Sequence, residues 1–417
     1  MHAWIISAFD PTPVDNTRPM RFMGIADALL ARGHGVTYFS NTFRHATRET
    51  RFKERTVKQV SEGYRLVFVY GTPYRRNLSI GRLLSHRRFG LNLQKEAGQQ
   101  ERPDVIFISI PPLTPARRIT SWAAAQRIPV VVDIIDPWPD AFFQRIMGFR
   151  AHLYRVMVFP LSLKLRGILA GISGVTAISR EYLEWARQRV PGPGRDSLPA
   201  GVFYPAVRFS EIRERLSVLG AVPGNGHGTG EETLGLIYAG SLESSYDIPA
   251  ITGAAEILET RYPGRTRFVV AGKGSQEELV RNAGRRLGNL EYVGRVGQEE
   301  LLSLFSRCHV GLIQHRPGAT QTVTYKLFDY LGAGLAVINS LQSEMVEIIS
   351  EHGVGMNHQP GSPEALAGCV ERFLDDPGLL GQCRKKALEL TAARGDAPVV
   401  YGELARFLER VAAGNGD

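Results

Sequence analysis

The sequence is poor in cysteine and has no long hydrophobic run. Cys308, Cys369 and Cys383 are the three cysteines in 417 residues, an odd number confined to the C-terminal half. That argues against a disulfide framework and fits a reducing compartment. No apolar stretch approaches the ~18–20 residues that span a bilayer. The opening MHAWIISAFD has neither a charged n-region nor a small-residue cleavage site, so it is expected to be a first strand rather than a signal peptide. HExxH, paired CxxC and GxSxG are absent, and no DxD is convincing, since Asp375 and Asp376 fall at a helix end. Zinc-protease chemistry and a serine triad are therefore unsupported. The 44 glycines follow no triplet period, which excludes collagen, and a hydrophobic share of 43% argues against disorder.

What is present is length and an uneven charge. At ~100–200 residues per domain, the chain is long enough for two or three domains with real cores. The net charge is +9, but residues 1–200 carry 29 basic and 15 acidic side chains, a net +14, whereas the remainder is net −5. A basic half joined to an acidic half points to a polyanion or an anionic membrane. Arginines solvated on helix faces are the simpler explanation.

Short β-branched runs alternate with helical patterns. Strands are expected at Ala3–Phe9, Val36–Ser40, Arg65–Tyr70, Val105–Ile110, Val130–Ile135 and Val175–Ile178, with a helix over Arg18–Arg32. The pattern breaks near residue 200, and the Gly-rich loop 220–230 (GAVPGNGHGTG) follows. It resumes with strands at Leu234–Ala239, Thr266–Ala271, Leu290–Val293, Val310–Gln314 and Ala336–Ile338. Strands separated by helices of this length imply parallel βαβ units. The chain therefore reads as α/β, two doubly wound Rossmann-like domains facing a central cleft, residues 1–205 and 206–396. A final helical segment, 397–417, either packs on its own domain or crosses back to the first. Ligands in such sheets sit at the carboxyl ends of strands.

The strongest local signal is QTVTYKLFDYLGAG, residues 321–334. Leu327, Phe328 and Leu331 form an apolar helical face, and Thr322 or Thr324 is the expected N-cap. Lys326 and Asp329 share a face three residues apart. The helix N-terminus is an anion site, Lys326 adds a point charge beside it, and Asp329 is placed to accept from a ribose diol. An ordinary helix with an i,i+3 ion pair fits equally well.

This segment, followed by LAVIN, resembles the part of retaining GT-B glycosyltransferases of family 4 that lies against the donor nucleotide. DNTRPMRFMGIADALLARGHGVTYFSNTFRH, PDVIFISIPP and DIIDPWPDAFF resemble landmarks of the bacterial surface-polysaccharide members. LIYAGSLESSYDI, FVVAGKGSQEEL and LEYVGRVGQEELLSLFSRCHVGLI follow at the family's spacings, so the resemblance covers some 390 residues. It implies the GT-B fold, a nucleotide-sugar donor (a UDP-sugar) in the second domain, an acceptor in the first, and no metal or other cofactor. Of the family's two acidic residues, the second falls on Asp329 and the first on the neutral Gln321. A family Arg and Lys that hold the donor diphosphate fall on Ser241 and Tyr246. Lys326, Lys273 in AGKGS and Arg295 in VGRVG are the candidate replacements, since departure of a nucleoside diphosphate needs preorganised donors. Gly272–Gly274 alone is weak, because Glu277 occupies the third glycine position of a dinucleotide fingerprint. Gly240, Ser241, Thr324, Tyr325 and Gln321 complete the donor set.

On the acceptor side, Asp15, Asn16, Thr17 and Arg18 follow the first strand. Asp133, Asp136 and Asp140 cluster at the end of a buried strand. Asp136 is the catalytic candidate, to orient or deprotonate an acceptor hydroxyl; Trp138 would stack on a sugar, and Asp140 either joins it or caps a helix. His45 matches a subgroup feature and faces the acceptor in this reading, whereas His34 reads as structural.

Two stretches concentrate the basic charge. Residues 75–95 hold six Lys/Arg and no acid, and residues 145–166 hold five and no acid, interleaved with large apolar side chains. Such helices lie in a membrane interface, and a few cations at ~1 kcal/mol each suffice for docking on an anionic leaflet. No nucleic-acid module accompanies them. A core helix with a basic edge is the simpler account of 145–166. The expectation is a cytoplasmic, peripheral-membrane retaining hexosyltransferase acting on a polyprenyl-diphosphate-linked or other saccharide acceptor of lipopolysaccharide or capsule biosynthesis. Two alternatives stand beside it: a GT-B nucleotide-sugar 2-epimerase, and a catalytically inactive glycosyltransferase-like subunit, which Ser241, Tyr246 and Gln321 favour.

Overall fold

The computed structural model describes residues 1–15, 17–76, 79–142, 149–192, 197–220 and 233–414. Asn16, residues 145–148 of the second basic stretch and residues 221–230 of the Gly-rich loop lie outside them. The chain divides into two compact units, Met1–Tyr204 with Pro398–Asp417, and Pro205–Ala397.

The strands of the first unit are β1 (His2–Ile6), β2 (Gly35–Asn41), β3 (Thr56–Ser61), β4 (Tyr64–Val69), β5 (Val105–Ile110), β6 (Val130–Ile134), β7 (Gly174–Ala177) and β8 (Ala200–Val202). Its helices are α1 (Arg21–Ala31), α2 (Ile80–Ala97), α3 (Leu113–Gln126), α4 (Phe149–Leu169) and α5 (Arg180–Arg187). The sheet order is β3-β4-β2-β1-β5-β6-β7-β8, parallel except for β3. The parallel strands are near-continuous apolar runs because both faces are covered. One core joins Phe89 and Leu93 of α2, Ile119 of α3, Leu165 and Ile168 of α4 and Tyr182 of α5 to one sheet face.

The second unit contains α6 (Phe209–Val218), β9 (Leu234–Ala239), α7 (Ile248–Arg261), β10 (Thr266–Ala271), α8 (Glu277–Arg286), β11 (Leu290–Gly294) and α9 (Gln298–Ser306). Then come β12 (Val310–Ile313), α10 (Tyr325–Gly332), β13 (Ala336–Asn339), α11 (Glu344–His352), β14 (Gly355–Asn357), α12 (Pro363–Asp375) and α13 (Pro377–Leu390). Its parallel sheet has the order β11-β10-β9-β12-β13-β14.

The last helix, α14 (Ala397–Ala412), packs within the first unit. Phe407 meets Phe203 with ring centroids 5.9 Å apart. Arg32 makes a bidentate pair with Glu409 at 2.6 and 2.7 Å, and His34 reaches the same carboxylate at 2.6 Å, a structural tie.

Three strands escape the sequence pattern. β3 is an exposed antiparallel edge, with only Val57 and Val60 as large apolar residues, so it carries no core run. β8 and β14 are three residues each, too short to show a period. The expected helix over Arg18–Arg32 begins at Arg21, because the segment before it is irregular.

Both sheets reverse their strand order at one point, between β1 and β5 and between β9 and β12. The connections leave in opposite directions there, opening a crevice at the carboxyl ends of those strands.

Candidate functional site

In the second unit the reversal point gathers several buried polar groups with no partner. Lys326, in the first turn of α10, has its Nζ shut off from solvent and without a hydrogen-bond partner, so the simple i,i+3 pair with Asp329 is not formed. The ammonium lies 4.0 Å from the ring centre of Tyr238 and 4.4 Å from that of Tyr246. Aromatic faces attract a cation, most strongly where water is excluded. Burial nonetheless lowers the Lys326 pKa to about 7, with Asp329 opposing the shift.

The lysine rests on backbone. A Cβ at Gly240, whose φ is +150°, would sit 2.5 Å from Lys326 Cε. Gly272 has the same φ, and a Cβ there would meet the Gly240 carbonyl oxygen at 1.8 Å. Only glycine gives this close approach of two loops in that conformation.

In the loop between β12 and α10, both ring nitrogens of His315, Gln321 Oε1 and Thr322 Oγ1 are buried and unpartnered. Burial, with Lys326 nearby, pushes His315 down to about 3, so it is neutral. Unsatisfied buried polar atoms cost about 1–3 kcal/mol each, and three residues of this one loop carry them. Thr324 takes the N-cap position of α10, but its hydroxyl does not cap the helix; it lies 3.9 Å from Met345 Sδ.

The other donor-side residues are less enclosed. Lys273 and Arg295 are exposed. They follow neighbouring strand ends, which Gly272 N joins by donating to Gly294 O at 2.7 Å. The Ser241 carbonyl accepts from Tyr238 Oη at 2.6 Å. Asp329 and Tyr325 are half-buried on α10.

In the first unit the three aspartates do not act as a cluster. Asp133 is fully buried and accepts two bonds from Arg21, at 2.7 and 2.8 Å, and one from Thr176 Oγ1 at 2.6 Å. Asp140 accepts from Trp185 Nε1 at 2.9 Å and pairs with Arg189, so it ties α5 to this segment. Asp136 accepts from Trp138 Nε1 at 3.0 Å, and burial raises its pKa to about 6. Asp10, just past β1, is also raised to about 6 by burial and accepts from Ser7 Oγ at 2.6 Å.

His45 Nδ1 lies 2.5 Å from Tyr74 Oη and 3.0 Å from Arg48 Nη1. Asp15 is bound by Arg51 and by Thr12 N at 2.7 Å, so it builds the loop rather than facing a ligand. Thr17 is exposed and Arg18 half-buried. Arg82, counted by sequence among the outward basic charges, is turned inward at 8% exposure.

Sequence reasoning missed His315, Asp10 and the inward role of Arg82. The first two stand just past strands β12 and β1, a position that was itself a usable signal. Among the described residues no group of three His, Cys, Asp or Glu converges as for a metal, and no helix is long and apolar enough to cross a membrane.

Known proteins give the same picture. Residues 20–201 match the family described as glycosyl transferase 4-like domain, and residues 234–376 match glycosyl transferases group 1. No curated protein matches the sequence. Among solved structures, sucrose-phosphate synthase (tll1590) from Thermosynechococcus elongatus is similar at 15% identity and a TM-score of 0.71, over 99% of this chain and 100% of that one. WaaG, a glycosyltransferase involved in lipopolysaccharide biosynthesis, is similar at 16% identity and 0.65, over 98% and 99%. Anabaena Alr3699/HepE, solved in complex with UDP-glucose, is similar at 14% and 0.64, over 98% and 99%. Two parallel-sheet α/β units, the two family matches and these likenesses across nearly the whole chain agree: the protein belongs to the GT-B glycosyltransferases of family 4 type.

Proposed function

We propose that the protein is a retaining, metal-independent hexosyltransferase that moves a sugar from a UDP-sugar to a saccharide acceptor. The observation that carries the donor half is Lys326, a buried ammonium with no hydrogen-bond partner at the reversal point of the second sheet. A diphosphate supplies the acceptor oxygens that this ammonium lacks. As the glycosidic bond to the nucleotide breaks, charge grows on the leaving phosphate, and a preorganised cation held off water stabilises it. Asp329 holds the ribose, Gln321 and His315 offer polar contacts to the sugar, and Lys273 and Arg295 add cations at the rim. The structure of HepE with UDP-glucose makes UDP the first nucleotide to test.

The first unit binds the acceptor, with Asp136 accepting the proton of the attacking hydroxyl or orienting it, Trp138 providing a stacking face, and His45 and Arg18 adding polar contacts. The acceptor is a lipid-linked saccharide of a surface-polysaccharide pathway, reached from the cytoplasmic face of the membrane. Exposed apolar side chains among the basic residues support this: Ile80, Leu83 and Leu84 on α2 are 76%, 55% and 54% exposed, and Val156, Phe159 and Leu163 on α4 are 63%, 59% and 51% exposed. Apolar side chains between cations at a surface suit a membrane interface.

Calorimetry with UDP, followed by a screen of nucleotide sugars for hydrolysis or protection against thermal unfolding, tests the donor half. Saturable UDP binding is the expected result. No binding heat from UDP or any other nucleoside diphosphate would leave an inactive subunit as the better reading. Turnover of UDP-N-acetylglucosamine to its epimer without acceptor would favour the 2-epimerase.

A further inference from the structure

Arg82 opens a second site, wholly within the first unit. Its guanidinium carbon lies 5.2 Å from the ring centre of Phe9, just past β1, and 4.6 Å from that of Trp138, past β6. His86, one turn along α2, stands 5.5 Å from Phe9, 6.5 Å from Tyr74 and 6.3 Å from Trp138 between ring centroids. Phe9 also meets His45, at 4.8 Å. These residues form one aromatic-walled cluster beside the reversal point of the sheet.

The cluster brings two guanidinium groups beside two imidazoles. Arg48 can only donate, so His45 Nδ1 is the accepting nitrogen and the ring proton sits on Nε2. Burial and the guanidinium groups of Arg82 and Arg48 push His45 down to about 4. Burial, Arg82, His45 and Lys164 push His86 to about 3. Both imidazoles are therefore neutral beside the guanidinium groups; burial lowers the Arg82 pKa, and Tyr74 and Asp136 oppose that shift. His86 is 5% exposed, and its Nε2 has no hydrogen-bond partner; Ser85 Oγ, beside it, is also buried without one. Cations flanked by aromatic rings, with an orphaned buried nitrogen, call for a compact anion with several acceptor oxygens.

We propose that this cluster is a phosphate-ester site, in which Arg82, Arg48 and His86 donate to phosphate oxygens while Phe9 and Trp138 wall the group off from water. The proposal rests on the reading of the first unit as the acceptor domain, and it makes the acceptor a phosphate or diphosphate ester rather than a neutral sugar. A lipid diphosphate headgroup and a soluble sugar phosphate share this chemistry.

The experiment titrates the full chain with geranyl diphosphate, glucose 6-phosphate, inorganic phosphate and glucose, in wild type saturated with UDP and in Lys326→Met. Both backgrounds remove competition from the donor site, and the second does not depend on UDP binding. Absence of UDP binding would sink the donor reading alone and leave the phosphate titration readable. A phosphate probe is expected to saturate where glucose does not. Arg48→Gln and His86→Phe are each expected to weaken it by about tenfold or more. Arg48 is half-buried in a loop, so its variant keeps the fold even where His86→Phe does not. Tighter geranyl diphosphate assigns the site to a lipid headgroup, and tighter glucose 6-phosphate to a soluble ester. Phosphate probes that bind no better than glucose, or binding unchanged in both variants, would overturn the proposal.

Discussion

Lys326 and Tyr246 are stacked, the ammonium 4.4 Å from the ring centre, with no hydrogen-bond partner for that ammonium. Tyr238, whose ring centre lies 4.0 Å from the same ammonium, forms the other aromatic wall around it.

Removing that charge tests the arrangement. Lys326→Met is expected to raise the donor KM by about 10–100-fold, the loss of a hydrogen bond from a charged group to phosphate. Ligand-free stability is expected to hold or rise, because a buried unpaired charge is replaced by an apolar side chain of similar volume. Steady-state kinetics and a denaturant titration measure the two effects; a large loss of stability with unchanged KM would make Lys326 a structural residue.

The same lysine predicts two opposite pH trends. Its folded pKa of about 7 lies below the ordinary 10.5. Between those values the unfolded chain binds more protons, so ligand-free stability should rise with pH across that window. Bound diphosphate favours the protonated form, so donor affinity should fall as pH rises above about 7. Calorimetry in buffers of different ionisation enthalpy should show proton uptake on UDP binding near pH 8. No uptake would mean that the ammonium is already charged there or does not meet the phosphate.

Asp136→Asn should lower kcat by about 100-fold or more while leaving UDP affinity within a factor of two, if the carboxylate acts as the acceptor's base. Its raised pKa of about 6 places an acid limb in the wild-type kcat profile near that pH. A variant that keeps the limb and the rate would remove Asp136 from the chemistry.

Arg21→Met should destabilise the first unit by about 3–5 kcal/mol, because Asp133 would keep a buried charge without its cation. Arg21→Met with Asp133→Leu should recover part of that loss, which urea unfolding of the single and double variants would read.

Leu83→Ser with Leu84→Ser removes exposed apolar side chains from α2 without touching its buried face. Flotation with vesicles containing anionic lipid should recover less of this variant than of wild type. Equal recovery of wild type from neutral and anionic vesicles would remove the electrostatic part of docking.

Order along the chain was legible in the sequence. Alternating strands and helices, the break near residue 200, and the segment from Gln321 to Gly334 all depend on neighbours within a few residues, where hydrophobic period and turn chemistry act. Pairing and burial depend on residues far apart. Asp133, Asp136 and Asp140 look equivalent in DIIDPWPD, yet Arg21, 112 residues away, neutralises the first, Arg189 ties down the third, and the second stands beside Trp138 and Arg82. Arg82 likewise counts as one more surface cation by composition and becomes the centre of an aromatic cluster because α2 turns it toward Phe9 and Trp138. The charge of a residue is a property of its type, but its partners and its exclusion from water come from the packing of the whole unit. That packing decided which of the basic and acidic residues are available for chemistry.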